Sequence, residues 1–477
     1  MECLKKLFEK HFGSPALRVQ PVQGGLGGSG RLIMRLANAA YSAIGIQNDV
    51  AEENAAFLGF TRHFRAQGLP VPEIYCIDEA HGAYLEEDLG DTTLFQFLTE
   101  RRLGAEIAPE VQSAYRKVVE VLPRFQVQAG RDLNYKLCYP RASFDRQSIA
   151  WDLNYFKYYF LKLSGVPFHE QALEKDFQRL TELLLGADRG FFLYRDFQSR
   201  NIMLREGQPY FLDYQGGRRG ALQYDIASLL FDGKAELPPE LRAQLLDHYL
   251  EALANYIPLD RKAFFEHYYA YVYVRILQAL GAYGYRGYFE RKPHFLLSVP
   301  SALRNLRWLL HNVTLPVQLP ALMSAFANMI SSEKLQSIST QAESAGLTVL
   351  VTSFSFHRGP VEDESGNGGG FVFDARCLPN PGREERFKTL TGCDVAVIEY
   401  LEGEETVRRF LESAMALVDA SVQDYQRRGF RHLMVSFGCT GGQHRSVYLA
   451  EQVAKRLAGR SGVRVVLQHR EQEMWKR

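Results

Sequence analysis

The stretch Tyr194-Arg195-Asp196-Phe197-Gln198-Ser199-Arg200-Asn201-Ile202-Met203-Leu204 is followed, after a short polar turn, by Tyr210-Phe211-Leu212-Asp213-Tyr214-Gln215-Gly216-Gly217. Apolar runs flank a polar loop from Asp196 to Asn201, and Asp213 stands at the end of an apolar run. Phosphoryl transfer needs a carboxylate to orient the attacking hydroxyl, oxygen ligands for Mg2+, and N–H groups or cations to hold the phosphates. Asp196 and Asn201, with four residues between them, have the spacing at which one residue serves as base and the other as metal ligand. Asp213 adds a second oxygen donor for a hard cation. Each feature alone is common, since an Asp after a strand is most often a turn residue. Their order and hairpin spacing together predict a phosphotransferase that uses ATP and Mg2+.

Downstream, Tyr224-Asp225-Ile226-Ala227-Ser228-Leu229-Leu230 extends the pattern. RDFQSRNIM, LDYQGG and YDIASLL together resemble the aminoglycoside phosphotransferase and choline kinase family. Within it they are most similar to the AmgK-type sugar kinases of cell-wall recycling, which phosphorylate the anomeric hydroxyl of N-acetylmuramate and N-acetylglucosamine. The resemblance runs over about residues 17–320 and takes in GGLGGSGRLIMR, GLPVPEIY, LEEDLGD and WDLNYFKYYFL. It implies an α+β, protein-kinase-like bilobal domain over residues 1–330. A strand-rich N-lobe would span about 17–90 and a helical C-lobe about 91–330. It further implies that Asp196 is the catalytic base with Arg195 beside it, that Asn201 and Asp213 bind Mg2+, and that Asp225 braces the catalytic loop. Leu85–Leu89, with Glu87 and Leu89 as named contacts, would lie beside the adenine.

One departure from that pattern concerns the phosphate clamp. Kinases of this shape carry a lysine on the third strand, but here that strand reads Tyr41-Ser42-Ala43-Ile44-Gly45-Ile46, and no lysine occurs from His11 to Arg116. Arg31 and Arg35 are the expected substitutes, because a guanidinium can pair two phosphate oxygens. Glu52 and Glu53 on the following helix, expected over Val50–Gln67 with Asp49 as its N-cap, are candidates to orient such an arginine. The glycine-rich run Gly24–Gly30, with Gly27, Gly28 and Ser29 as nucleotide contacts, could place backbone N–H groups over the phosphates. For the acceptor, Trp151, Asp152 and Asn154 mix an aromatic face with polar groups, as sugar sites do; the same segment reads equally as an aromatic core face. The lone Asp152 favours a neutral or acidic sugar over a polycationic acceptor.

Residues 331–346 are polar and weakly patterned, and are expected to form a linker. From Leu347 the rhythm changes to β-branched runs bounded by glycine, LTVLVTSFSF, FVFDAR, HLMVSFG and VRVVLQH, with helical patterns between. This alternation predicts a small α/β C-terminal domain over 347–477. GNGGG at 366–370 reads as a loop. Strand, Gly-rich turn and helix in HLMVSFGCTGGQHRSVYLAEQVAKRL aim a helix N-terminus at one spot, an anion site. Two readings compete there. Cys439 to Ser446 fits the CxxGxxRS signature of cysteine phosphatases, with Asp374 as a conceivable general acid; against this, Cys439 reads as a spectator thiol. The whole domain also resembles the RapZ C-terminal domain, through TSFSFHRG, FVFDARCLPNP, LTGCD and GCTGGQHRSVYLAE. That resemblance implies a site for glucosamine-6-phosphate lined by His357 or Arg358, Asp374, Arg376, Thr440, Gly441, His444 and Arg445; Cys439, Gly442 and Ser446 of the Gly-rich turn complete the expected anion site. The P-loop domain that precedes it in RapZ has no counterpart here, and the two glutamates of HREQEMWKR argue against RNA as a partner.

Bulk properties agree with a globular chain of two to four structural units. Its 477 residues exceed one core, and a net charge of +1 offers no global attraction for nucleic acid or an anionic membrane. Six scattered cysteines read as free thiols of a cytoplasmic protein. The N-terminus, MECLKKLFEKHFG, reads as an amphipathic helix, not a signal peptide. The combined expectation is an amino-sugar kinase whose C-terminal domain senses a phosphosugar, feeding a sugar-1-phosphate nucleotidyltransferase downstream. An adaptor with a silent kinase fold and a kinase–phosphatase remain as alternatives.

Overall fold

The computed structural model describes residues 1–22, 31–103, 106–344, 346–361, 363, 370–427, 430 and 432–472. The chain divides into two compact units, Met1–Ile338 and Ser339–Arg477.

The first unit opens with α1 (Glu2–Phe12) and a five-stranded antiparallel sheet of order β1-β2-β3-β5-β4. The strands are β1 (Arg18–Pro21), β2 (Leu32–Ala37), β3 (Ser42–Gln47), β4 (Ile74–Asp78) and β5 (Ala83–Glu87), with α2 (Ala51–Ala66) between β3 and β4. Alternation sorts their side chains to two faces. Met34, Leu36, Ala43 and Leu85 pack under Leu4, Leu7 and Phe8 of α1. Gly45 lies on that face because a Cβ there would stand 2.6 Å from Leu36 Cδ1. Ile44, Ile46 and Tyr84 face Phe57, Phe60 and Phe64 of α2 in the main core. The helix begins one residue later than the sequence suggests. Val50 occupies the N-cap without a side-chain bond, so Asp49 does not cap it.

The second lobe is mostly helical. It comprises α3 (Leu94–Glu100), the hairpin β6 (Arg102–Leu103) and β7 (Glu106–Ile107), α4 (Pro109–Pro123), and α5 (Arg146–Tyr155), which runs on through a π-turn into α6 (Lys162–Ser164). After α7 (Glu170–Leu185) come two hairpin-like pairs. One joins β8 (Phe191–Leu193) to β11 (Arg218–Gly220); the other joins β9 (Ile202–Arg205) to β10 (Gln208–Phe211). The lobe closes with α8 (Gln223–Leu230), α9 (Pro239–Leu253), α10 (Arg261–Gly284), α11 (Val299–Asn312) and α12 (Pro320–Ser331). The stretch expected as a linker contains the boundary between the units and is largely helical, as α13 (Glu333–Ser344). Its Leu335 is fully buried in the core of the first unit, and Lys334 Nζ donates to Ser164 O at 3.1 Å. A weak apolar pattern hid this, because one buried leucine suffices to dock the first turn.

The second unit is a four-stranded parallel sheet of order β13-β14-β12-β15: β12 (Leu347–Ser355), β13 (Gly370–Asp374), β14 (His432–Cys439) and β15 (Val463–His469). Helices α14 (Val395–Gly403), α15 (Glu405–Arg427) and α16 (Arg445–Leu457) complete it. Ser355 pairs with Cys439, so the carboxyl ends of β12 and β14 meet, where open parallel sheets bind their ligands. The glycine-rich GNGGG loop lies almost wholly outside the described residues. No helix of the described residues is long and apolar enough to cross a membrane.

Candidate active site

The loop after β8 is held in a strained conformation by one buried carboxylate. Asp225, fully buried in the first turn of α8, accepts from Tyr194 N at 2.8 Å and Arg195 N at 3.0 Å, and from Gln126 Nε2 at 3.1 Å. Burial pushes its pKa up to about 6 while these donors pull it down, so the group stays ionised at neutral pH. Arg195 is thereby fixed at φ 82, and Asp213 sits at φ 65, two non-glycine residues in the left-handed region. Such strain persists only where surrounding bonds over-determine it.

The result is a convergence of oxygens. Asn201 Nδ2 donates to Asp196 O at 2.8 Å and to Asp213 Oδ2 at 3.0 Å, which leaves its Oδ1 for a cation. Asp213 also accepts from Gln215 Nε2 at 2.6 Å. Burial and then the negative charge of Asp196 raise the Asp213 pKa. The Asp196 carboxylate itself has no hydrogen-bond partner among the described residues. Two carboxylates and an amide oxygen suit a hard divalent cation such as Mg2+, which would relieve their repulsion.

Several expected residues stand elsewhere or act differently. Arg31, just before β2, pairs with Glu53 at 2.8 Å and reaches Asp213 Oδ1 at 3.5 Å. It therefore faces the carboxylates from the N-lobe. Arg35 does not: Asp88 at 2.8 Å and Asp91 at 2.6 Å hold it at the connector between the lobes, where it has neutralising partners already. Glu87 points away on β5 and pairs with Arg205 at 2.7 Å, while Leu89 is buried. Glu86, one residue earlier, is the carboxyl on the inner face. It is 8% exposed with an unpartnered Oε2, and burial raises its pKa to about 8. The alternation Tyr84, Glu86 was legible in the sequence. Gly27, Gly28 and Ser29 lie outside the described residues.

Asp152 was expected to bind the acceptor. Its carboxylate is buried and grips both Nη atoms of Arg195 at 2.6 and 2.8 Å, so it anchors the loop after β8. Arg195 likewise points its guanidinium into the lobe, toward Asp152 and Tyr224 Oη, and positions its neighbour Asp196. Trp151 is exposed and Asn154 half-buried, both on α5. A residue that the sequence reading missed is Arg218. It is 6% exposed, and among the described residues the only hydrogen bond of its guanidinium runs from Nε to Gly216 O at 3.0 Å. Desolvation, then Arg195, lower its pKa, and Asp196 lies near enough to act on it.

In the second unit, Gly442 adopts φ 70, and a Cβ there would come within 2.9 Å of Ser355 N; the turn needs glycine. Cys439 is buried beneath it; Gly442 N donates to its Sγ at 3.2 Å, and Ser446 Oγ lies 3.1 Å from the same sulfur. Arg445 was expected to reach out to a ligand. Instead its Nη1 donates to the carbonyls of Arg376 and Leu378 and its Nη2 to Thr440 Oγ1, leaving a buried, unpartnered Nε. His444 is buried against Phe387 O at 2.9 Å, and burial lowers its pKa. Thr440 and Gly441 are exposed at the head of α16, and His357 is exposed too. Arg358 is paired with buried Glu471, and Asp374 with Arg376.

Comparison with known proteins follows this division. The phosphotransferase enzyme family matches residues 22–259, and the RapZ C-terminal domain matches residues 347–473. A nucleotide-binding protein of Azoarcus sp. strain BH72 is 45% identical over 129 residues, 27% of this chain and 42% of its own. One of Thermotoga neapolitana is 36% identical over 164 residues, 34% of this chain and 56% of its own. The chain thus spans only about half or less of these curated relatives. Among solved structures, choline kinase LicA of Streptococcus pneumoniae aligns with a TM-score of 0.43 and 16% identity, covering 64% of this chain and 99% of its own. The amicoumacin kinase hAmiN in complex with AMP-PNP, Ca2+ and Ami aligns at 0.40 and 13% identity, covering 64% and 86%. The chain joins a domain of the phosphotransferase enzyme family to a RapZ C-terminal domain.

Proposed function

We propose that the first unit is an ATP-dependent kinase for a hydroxyl of a sugar or amino sugar. The observation that carries this reading is the Asn201 bridge between the backbone of Asp196 and the carboxylate of Asp213. In this reading Asp196 orients the acceptor hydroxyl and takes its proton as the oxygen attacks the γ-phosphorus, and ADP leaves. An unpaired, half-buried carboxylate is suited to that task. Asn201 and Asp213 would hold Mg2+, which, when bound, neutralises charge on the phosphate oxygens. Arg31, oriented by Glu53, supplies the cation that the missing lysine would have given.

Arg218 supports a neutral or acidic acceptor. A desolvated guanidinium with one hydrogen bond, close to the base, favours hydroxyl or carboxylate oxygens and repels a polycation. Trp151 and Asn154 are the candidates on α5 for a sugar ring. The test is a screen of sugars, amino sugars, choline and aminoglycosides with ATP and Mg2+, with the phosphorylated carbon identified by phosphorus NMR. Transfer only to choline or an aminoglycoside would overturn the acceptor assignment.

The second unit, in the same reading, binds a phosphosugar at Thr440, Gly441 and the head of α16, and tunes kinase flux. The buried Nε of Arg445 and the N-terminus of α16 support an anion there. Glucosamine-6-phosphate titrated into the kinase assay should change rate or affinity; a flat response would remove the coupling.

A further inference from the structure

We propose that Cys393, Glu451 and His469 form a binding site for a zinc-class divalent cation in the second unit. The three residues come from three elements: the loop before α14, the middle of α16 and the last position of β15. Their donor atoms all lie within 4.8 Å of one another. Cys393 Sγ stands 3.6 Å from Glu451 Oε1, and His469 Nε2 stands 3.3 Å from the same oxygen. Tetrahedral zinc with bonds of about 2.0–2.3 Å separates its donors by about 3.3–3.8 Å. Two of the three donor pairs therefore already have the spacing that such an ion imposes, and the third lies within 4.8 Å.

The histidine is also oriented from behind. Its Nδ1 lies 2.8 Å from Ser353 Oγ, and Ser353 is fully buried in β12. Fixing one ring nitrogen presents the other to the cluster, the arrangement by which second partners hold a metal-binding imidazole. Thiolate, imidazole and carboxylate together select a borderline-soft ion over Mg2+ or Ca2+. Thiolate and carboxylate balance a double positive charge, and three protein donors leave one position for water.

A second group, Cys3, Asp78 and His81, carries less weight. There Asp78 caps a single turn and bonds His81 three residues on, a local arrangement that needs no ion. The Cys393 cluster instead ties a loop to a helix and a strand. Gly392, beside Cys393, donates to Gln443 O at 2.9 Å, so an ion there would pin the loop that abuts the head of α16.

The experiment uses the full chain without a histidine tag, reduced with a phosphine and stripped by chelator, then titrated with Co2+. One equivalent should produce a sulfur-to-cobalt charge-transfer band with the visible absorption of tetrahedral cobalt, and Zn2+ should displace it. Cys393→Ser, at an exposed position, should abolish the charge-transfer band with an unchanged melting curve. His469→Gln should weaken cobalt affinity at least tenfold. Cys3→Ser and Cys439→Ser should change neither. Absence of a band at one equivalent, or a band that survives Cys393→Ser or disappears with Cys3→Ser or Cys439→Ser, would overturn the proposal.

Discussion

Arg31 Nη2 lies 2.8 Å from Glu53 Oε2, and the same guanidinium reaches toward Asp213 across the cleft. An arginine at the head of β2 and a glutamate in the first turn of α2 thus form the N-lobe ion pair that the lysine-free third strand could not make. If this pair clamps the nucleotide, Arg31→Ala should lower kcat/KM for ATP on the order of 100-fold, about 3 kcal/mol of transition-state stabilisation. Arg35→Ala should leave kcat within about threefold, because Arg35 is held by Asp88 and Asp91. Steady-state kinetics with the acceptor found in the screen separates the two; equal losses would place both arginines at the phosphates.

Asp196→Asn should keep the fold and lose activity by about 10²- to 10⁴-fold, the range for a removed general base. The side chain makes no hydrogen bond among the described residues, so its melting temperature should barely move. Full phosphorylation by this variant would remove the catalytic assignment.

Asp225→Asn should fail differently. The amide would turn an NH2 group toward donors that now meet a carboxylate oxygen, from Tyr194, Arg195 and Gln126. We expect a stability loss on the order of 2–4 kcal/mol in urea titration together with loss of turnover.

Glu86 gives the first unit a pH-dependent stability. In the folded chain its carboxyl stays protonated up to about 8, against an ordinary value of 4.5. Between those values the folded state binds a proton that the unfolded state has released, so this contribution is complete below 4.5 and falls as pH rises toward 8. Glu86→Gln should remove that slope. Its stability relative to the parent should rise across this window and level off above it, as read by denaturant titrations at stepped pH.

Gly442→Ala should destabilise the second unit by about 1–3 kcal/mol, since the residue sits at φ 70 and the added Cβ meets Ser355 N and Phe354 C. Loss of glucosamine-6-phosphate binding by calorimetry should accompany it. Cys439→Ser should leave kinase turnover unchanged, and neither form should hydrolyse an aryl phosphate, because Sγ is buried and both Nη atoms of Arg445 are engaged.

Much of the candidate site was legible along the chain. The proposed catalytic loop, the residues proposed to hold the metal and the bracing Asp225 all lie within about thirty residues, where a strand, a turn and a hairpin bring them together by local geometry. The parallel strands of the second unit were equally plain from their β-branched runs. The roles of Arg35, Glu87, Asp152 and Arg445 were not. Each depends on a partner from another element: Asp88 and Asp91, Arg205, Arg195, and the carbonyls of Arg376 and Leu378.

Sequence by itself determined the two domains and the short polar motifs, because periodicity and spacing within a few residues are set by backbone geometry. Only the tertiary structure decided which arginine meets the carboxylates, which glutamate turns inward, and which thiol joins a histidine. A charged side chain is available to a ligand only when no closer opposite charge or carbonyl has already desolvated and paired it, and that depends on chain segments far apart in sequence.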